Sequence, residues 1–135
     1  MNGYISLLLF AFFFPFCNSS EQKSEYGIYQ GVYFDYPETE YERSFLICDT
    51  GELWRIGQGG EYTTLQKIYN RIEHSTHGEI FIEIRARVSL IDIKKYSKSH
   101  FVANAEIQEI LRYSSDTNQI KKCIKKSKID SVSHD

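Results

Sequence analysis

Gly78–Ile93 reads GEIFIEIRARVSLIDI, and its alternation decides how the chain folds. Ile80, Ile82, Ile84, Ala86, Val88 and Leu90 share one parity; Phe81, Glu83, Arg85, Arg87 and Ser89 share the other. Successive side chains of a strand point to opposite faces of a sheet, so a period of two predicts a half-buried strand. Burying the six apolar side chains supplies on the order of 10 kcal/mol of transfer free energy, counted as an upper bound. A strand of this length in a small chain predicts bending, with different neighbours along its two halves, as in a small barrel. The outward row Glu83, Arg85, Arg87 offers a ligand-binding face, or a solvated face of cross-strand ion pairs worth little each.

Working outward, the segments before the long strand alternate too. Tyr26–Asp35 sets Ile28, Val32 and Phe34 on one face and Tyr29 and Tyr33 on the other. Gly27 and Gly31 mark a bend. Pro37 and the acidic run Asp35, Glu38, Glu40 and Glu42 form a solvated turn. Tyr41–Asp49 and Leu53–Ile56 read as a hairpin about Gly51. Trp54 reads as a core plug or as a platform for stacking a base or sugar. Tyr62, Leu65, Ile68, Tyr69 and Ile72 then change period, predicting an amphipathic helix over residues 61–74 with Thr63 or Thr64 as its cap. His74 and His77 close that helix and are the weak candidates for a metal site. Residues 104–113 fit a short helix or a closing strand; the strand is the reading adopted, with Ala105, Ile107, Glu109 and Leu111 on one face. The lysine-rich residues 115–135 are expected to form a partly disordered basic tail with a short helix near Cys123.

The first sixteen residues differ from the rest. They hold Phe10, Phe12, Phe13, Phe14 and Phe16 and no charged side chain. The apolar run from Ile5 is too short for a bilayer span of about 20 residues and suits an export signal. It stops at Cys17, followed by the polar tether of residues 17–25. An apolar run ending in one Cys and a Ser-rich tether resembles a bacterial lipoprotein signal. That resemblance implies cleavage after residue 16 and acyl chains, palmitate among them, on Cys17. Phe14, Pro15 and Phe16 stand where small residues are usual. If Cys17 carries lipid, Cys48 and Cys123 remain as an even pair, a disulfide candidate in an exported chain. The formal charge of −2 gives no general attraction to nucleic acid.

Three strands, a helix and two strands give a mainly β fold. The expected architecture is a small five-stranded OB-like Greek-key barrel over residues 26–114, with one α-helix between strands three and four. Gly31-Val32-Tyr33, Ser44–Cys48, Leu53–Ile56, Leu65–Tyr69 and Glu79–Ile84 resemble the OB-like domain of NlpE-type bacterial envelope lipoproteins. The Cys-x-x-Cys barrel of the larger members has no counterpart, and Ala86-Arg87-Val88 continue the strand where that pattern usually meets a Gly. The resemblance implies a non-enzymatic protein, lipid-anchored in the outer or cytoplasmic membrane, monomeric and without a cofactor. Its barrel would bind an envelope protein or a cell-wall ligand, with a link to envelope stress. Trp54, Arg85 and Arg87 are the ligand-binding candidates, and no catalytic constellation stands out. The alternative is an OB fold that binds single-stranded nucleic acid, with Tyr29, Tyr33, Trp54 and Arg55 joining the outward arginines.

Overall fold

The computed structural model describes residues 24–72, 78–92 and 99–132. Five strands and two helices follow the order β1 (Ser24–Phe34), β2 (Ser44–Ile47), β3 (Leu53–Ile56), α1 (Tyr62–Ile72), β4 (Glu79–Leu90), β5 (Ala103–Ser114) and α2 (Thr117–Val132). The fold is mainly β. The sheet is mixed and closes in a ring, β1-β2-β3-β5-β4, with β4 returning to β1. All pairings are antiparallel except β3 with β5.

The long strand does what its alternation requires. Ile80, Ile82, Ile84, Ala86 and Val88 all enter the main core. Leu90 departs from the pattern: at 68% exposed it lies past the last inward position. β4 pairs with β1 along one edge and with β5 along the other. β1 meets β4 alone up to Gln30 and gains β2 from Gly31. A Cβ at Gly31 would come within 2.4 Å of both the Leu46 carbonyl oxygen and the Phe45 ring, so only glycine allows this approach.

β1 turns Tyr29 and Tyr33 inward and leaves Tyr26 on the outer side. Tyr33 is fully buried and Tyr29 packs on the main core, while Val32 and Phe34 face the outer side. β3 keeps the expected bounds, and β2 is shorter than expected. The strand reading of residues 104–113 holds, and its predicted face holds at Ala105 and Ile107 but fails beyond them. Two register shifts interrupt β5 against β4, so Ile84 pairs with Ile110 and Arg85 with Glu109. Ile107 and Ile110 therefore face the core, and Glu109 faces out.

Helix α1 closes one end of the ring through Tyr62, Leu65, Ile68 and Tyr69. Neither threonine caps it. The Glu61 carboxylate accepts the Thr64 hydroxyl at 2.7 Å, and the Glu61 backbone N–H donates to Ile107 O at 2.9 Å. Tyr69 ties α1 to β4 by donating its hydroxyl to Gly78 O at 2.8 Å.

The second helix is the main addition to the expected architecture. Asp116 accepts the Asn118 N–H at 2.9 Å, an N-cap that starts α2 at Thr117. α2 crosses the outer face of the sheet. Ile120 and Cys123 pack there on Val32, Cys48 and Phe81, forming a second small core outside the ring. Phe81, 3% exposed, belongs to this outer core and not to a solvated row. A disulfide joins Cys48 to Cys123 across 75 residues of chain. In the chain-entropy model a loop of this length gains about 4.5 kcal/mol from the crosslink. Gly51, at φ 72°, makes the β2–β3 turn and lies so close to the Ser127 carbonyl that a Cβ would stand 2.8 Å from its oxygen.

Candidate functional site

The residues singled out in the sequence separate widely. Cys17, His74 and His77 lie outside the described residues. Among the described residues no group of three His, Cys, Asp or Glu side chains could hold a metal, and no helix is long and apolar enough to cross a membrane. Trp54 is a core residue at 6% exposed. Its ring meets Tyr29 edge-on at 4.7 Å, and its indole N–H donates to Glu52 Oε2 at 2.9 Å. With Tyr33 buried beside it and Tyr29 half-buried, these rings present no open face for stacking. Arg85 pairs with Glu109, and Arg87 with Glu106 at 3.1 Å. Glu83 accepts from Gln30 and lies 3.7 Å from Arg112. The outward row is thus a set of cross-strand ion pairs. Glu106 also holds the Arg87 guanidinium above its ordinary pKa.

A different group of residues converges on the outer side of β3. The parallel pairing of β3 with β5 sets Arg55 beside Asn104. The connection between β4 and β5 is held to the ring by backbone bonds, Val102 N–H to Leu53 O at 3.1 Å and Ile91 N–H to Val102 O at 3.0 Å. This brings Phe101 under Arg55, whose guanidinium carbon lies 4.2 Å from the ring centroid. Phe101 is itself buried. Stacking on an aromatic face holds a guanidinium flat and leaves its edge donors available. Arg55 Nη2 reaches Glu40 O at 3.4 Å, and Arg55 Nε is enclosed without a hydrogen-bond partner.

The β1–β2 connection packs near Arg55 and against His100. Tyr41 stacks on His100 with centroids 5.4 Å apart and planes 17° from parallel. His100 Nε2 stands 3.2 Å from Glu40 Oε2. Between β3, the end of β4 and the β4–β5 connection lies a cleft of about 270 Å³ lined by Arg55, Leu90, Asp92, Ser99, Phe101 and Asn104. It combines a cation, a carboxylate, an amide and a hydroxyl over an aromatic floor, which is the chemistry of hydrogen-bonded recognition.

Comparison of the chain with family models, with curated proteins and with solved structures finds no match. The cleft therefore rests on its own geometry. Of its residues the sequence had marked Arg55, and only as an adjunct to the aromatic rings. Phe101, Ser99 and Asn104 carried no local signal, because only the parallel β3–β5 register brings them to Arg55.

A second tyrosine cluster lies under α1. Tyr33 and Tyr69 meet edge-on at 5.2 Å, near Tyr62. Burial, then Asp35, pushes the Tyr33 phenol far above its usual pKa. Its enclosed hydroxyl has no hydrogen bond of good geometry, although the Tyr62 hydroxyl is close enough to interact. Burial also raises Tyr62 and Tyr29. Tyr33, Tyr62 and Tyr69 serve the packing of α1 on the ring, and Tyr29 packs on Trp54.

Proposed function

We propose that this chain is an exported, lipid-anchored bacterial envelope protein, non-enzymatic, whose ring is an OB-like binding module for a cell-wall or envelope-protein ligand. The Cys48–Cys123 disulfide carries this reading. Such bonds persist in oxidising compartments and are rare in the cytosol of mesophiles. The apolar run ending at Cys17 and the likeness to NlpE-type lipoproteins support the same compartment.

The OB-like assignment draws support from the strand order, from the parallel β3–β5 pair, and from a helix between β3 and β4. OB folds bind oligonucleotides and oligosaccharides on strands two and three with the 1–2 and 4–5 loops. The Arg55 cleft is built from β3, the end of β4, the β4–β5 connection and the start of β5, and the Glu40 carbonyl of the β1–β2 connection lies within reach of Arg55. Its donors and acceptors suit the hydroxyls, amides and carboxylates of a wall glycopeptide or of a polar protein segment. Single-stranded nucleic acid is the poorer fit, since Tyr33 and Trp54 lie inside the ring.

The test is the intact mass of the protein recovered from cell membranes, before and after reduction. The expected result is a chain beginning at Cys17 with acyl chains, gaining two hydrogens on reduction. An unprocessed chain with three free thiols removes the reading. On the processed protein, Arg55→Ala is expected to abolish retention on purified wall material.

A further inference from the structure

The lysines of α2 lie on the side of the helix opposite its buried stripe. Ile120, Cys123 and Ser127 are buried against the sheet, whereas Lys121, Lys122, Lys125, Lys126 and Lys128 are all exposed. A spacing of three, four or seven residues keeps side chains on one helix face, so Lys121, Lys125 and Lys128 form a continuous basic row. From Thr117 to Lys128 the helix contains no acidic residue. Lys126 also reaches across to Asp49 at 2.5 Å, so this cation is partly balanced from the β2–β3 turn. The disulfide fixes the helix in this orientation.

The neighbouring outer face of β1 and β4 carries exposed apolar side chains beside its cross-strand ion pairs. Along β1, Tyr26, Ile28 and Gln30 share the outer side with Val32 and Phe34, which α2 covers. Tyr26 and Ile28 lie beyond the helix and are 67% and 57% exposed. Between them and α2 runs a step of about 300 Å³, with Gln30 and Phe81 on the sheet side, Lys122 and Lys126 on the helix side, and the Lys126-paired Asp49 carboxylate also lining it. On the outward side of the molecule Lys122 and Lys126 border the step, Lys121, Lys125 and Lys128 project from the other flank of the helix, and Tyr26 and Ile28 stand exposed on the sheet.

We infer that this side docks on an anionic phospholipid surface. Lysines attract the negative headgroup layer, at about 1 kcal/mol each when close to it. Tyrosine suits the headgroup level because its ring is apolar and its hydroxyl polar. The step beside Lys122 and Lys126 accommodates a headgroup phosphate. This surface complements the proposed anchor, since the acyl chains tether the N-terminus and a basic patch adds an attachment that holds the ring itself against the headgroups. That last point rests on the anchored reading; the docking surface itself does not. The Arg55 cleft lies elsewhere, at the end of β4 and on the outer side of β3, so docking would leave ligand capture to a separate part of the ring.

The test compares partition of the full chain into phosphatidylcholine vesicles with and without phosphatidylglycerol. The N-terminal apolar run, or the acyl chains on Cys17 where it has been cleaved, contributes to both vesicle types, so the ratio isolates the charge preference. The expected ratio is at least about tenfold at low salt, falling toward one as salt is raised. Lys121→Glu, Lys122→Glu and Lys125→Glu together should abolish it, and arginine at the same three positions should retain it. Far-UV circular dichroism and an intact disulfide check that the variants fold. If the glutamate variant does not fold, the salt titration of the natural chain decides. A ratio near one at low salt, or a preference unchanged by salt or by glutamate, overturns the inference. So does tighter binding to single-stranded DNA than to the anionic vesicles. A mass showing no acyl chain beside a retained preference would remove the anchor and leave this docking surface standing.

Discussion

The outer face of this sheet is one surface with two outcomes. At one end, where α2 lands, Val32 and Phe81 are as deeply buried as residues inside the ring. Further along the same strands, Ile28, Arg85 and Glu109 remain exposed, and ion pairs take the place of packing. The two halves share strands, alternation and pleat. They differ in what covers them. A sheet face becomes core where a helix is held against it, and a charged row where nothing covers it.

The disulfide is the largest lever on this contrast. Replacing Cys48 and Cys123 together by Ala is expected to cost about 4 kcal/mol in urea unfolding, with most of the loss from the longer unfolded loop. Hydrogen exchange should find α2 opening before the ring strands. If α2 and β4 still exchange together, packing alone holds the helix, and the crosslink is not what separates the two halves.

Phe81→Ala comes next, with the disulfide intact. The side chain fills the outer core among Val32, Ile120 and Cys123. Its loss is expected to cost about 3 kcal/mol, on the scale of a buried aromatic and far above a solvated one. A cost under about 1 kcal/mol would show that α2 covers the sheet without packing on it.

Phe81 also shows where the sequence stopped being legible. Its parity placed it with Glu83, Arg85 and Arg87, and no periodicity within β4 distinguishes it from them. What buries it is α2, whose apolar positions Ile120, Cys123 and Ile124 are too few to announce a docking face in a lysine-rich tail. The inner row of β4, the β2–β3 hairpin and α1 were legible because their patterns are local. The face of β5 was legible only through Ile107, because the bulges beyond it shift which residues turn inward. The Arg55 cleft was illegible for a related reason: Phe101 and Asn104 reach Arg55 only through the pairing of β3 with β5, which is a property of the closed ring.

A smaller effect probes the interior that both halves surround. Tyr33→Phe removes a buried hydroxyl that lacks a well-formed hydrogen bond, and is expected to stabilise the protein by about 1 kcal/mol at neutral pH. The pH dependence has a definite sign. The folded phenol titrates above the unfolded one, so its contribution is complete below about pH 10 and is lost as pH rises further. Tyr33→Phe should therefore weaken the alkaline loss of stability, measured as the urea midpoint between pH 8 and pH 11, roughly the range around a free phenol. Tyr62 and Tyr29 are raised too, so part of the alkaline loss remains.

The smallest expected effect belongs to the bare half. Arg85 and Glu109 face each other across β4 and β5, each side chain about half exposed. Water and salt screen such a pair, and ordering two long side chains offsets much of the attraction. A double-mutant cycle with Arg85→Ala and Glu109→Ala should give a coupling of about 0.5 kcal/mol at low salt, vanishing at high salt. The comparison is sharpest beside Phe81→Ala, since both changes sit on the outer face of β4. A coupling near that of a buried contact would mean the bare half is covered in solution, and a partner on this face would become the next thing to seek.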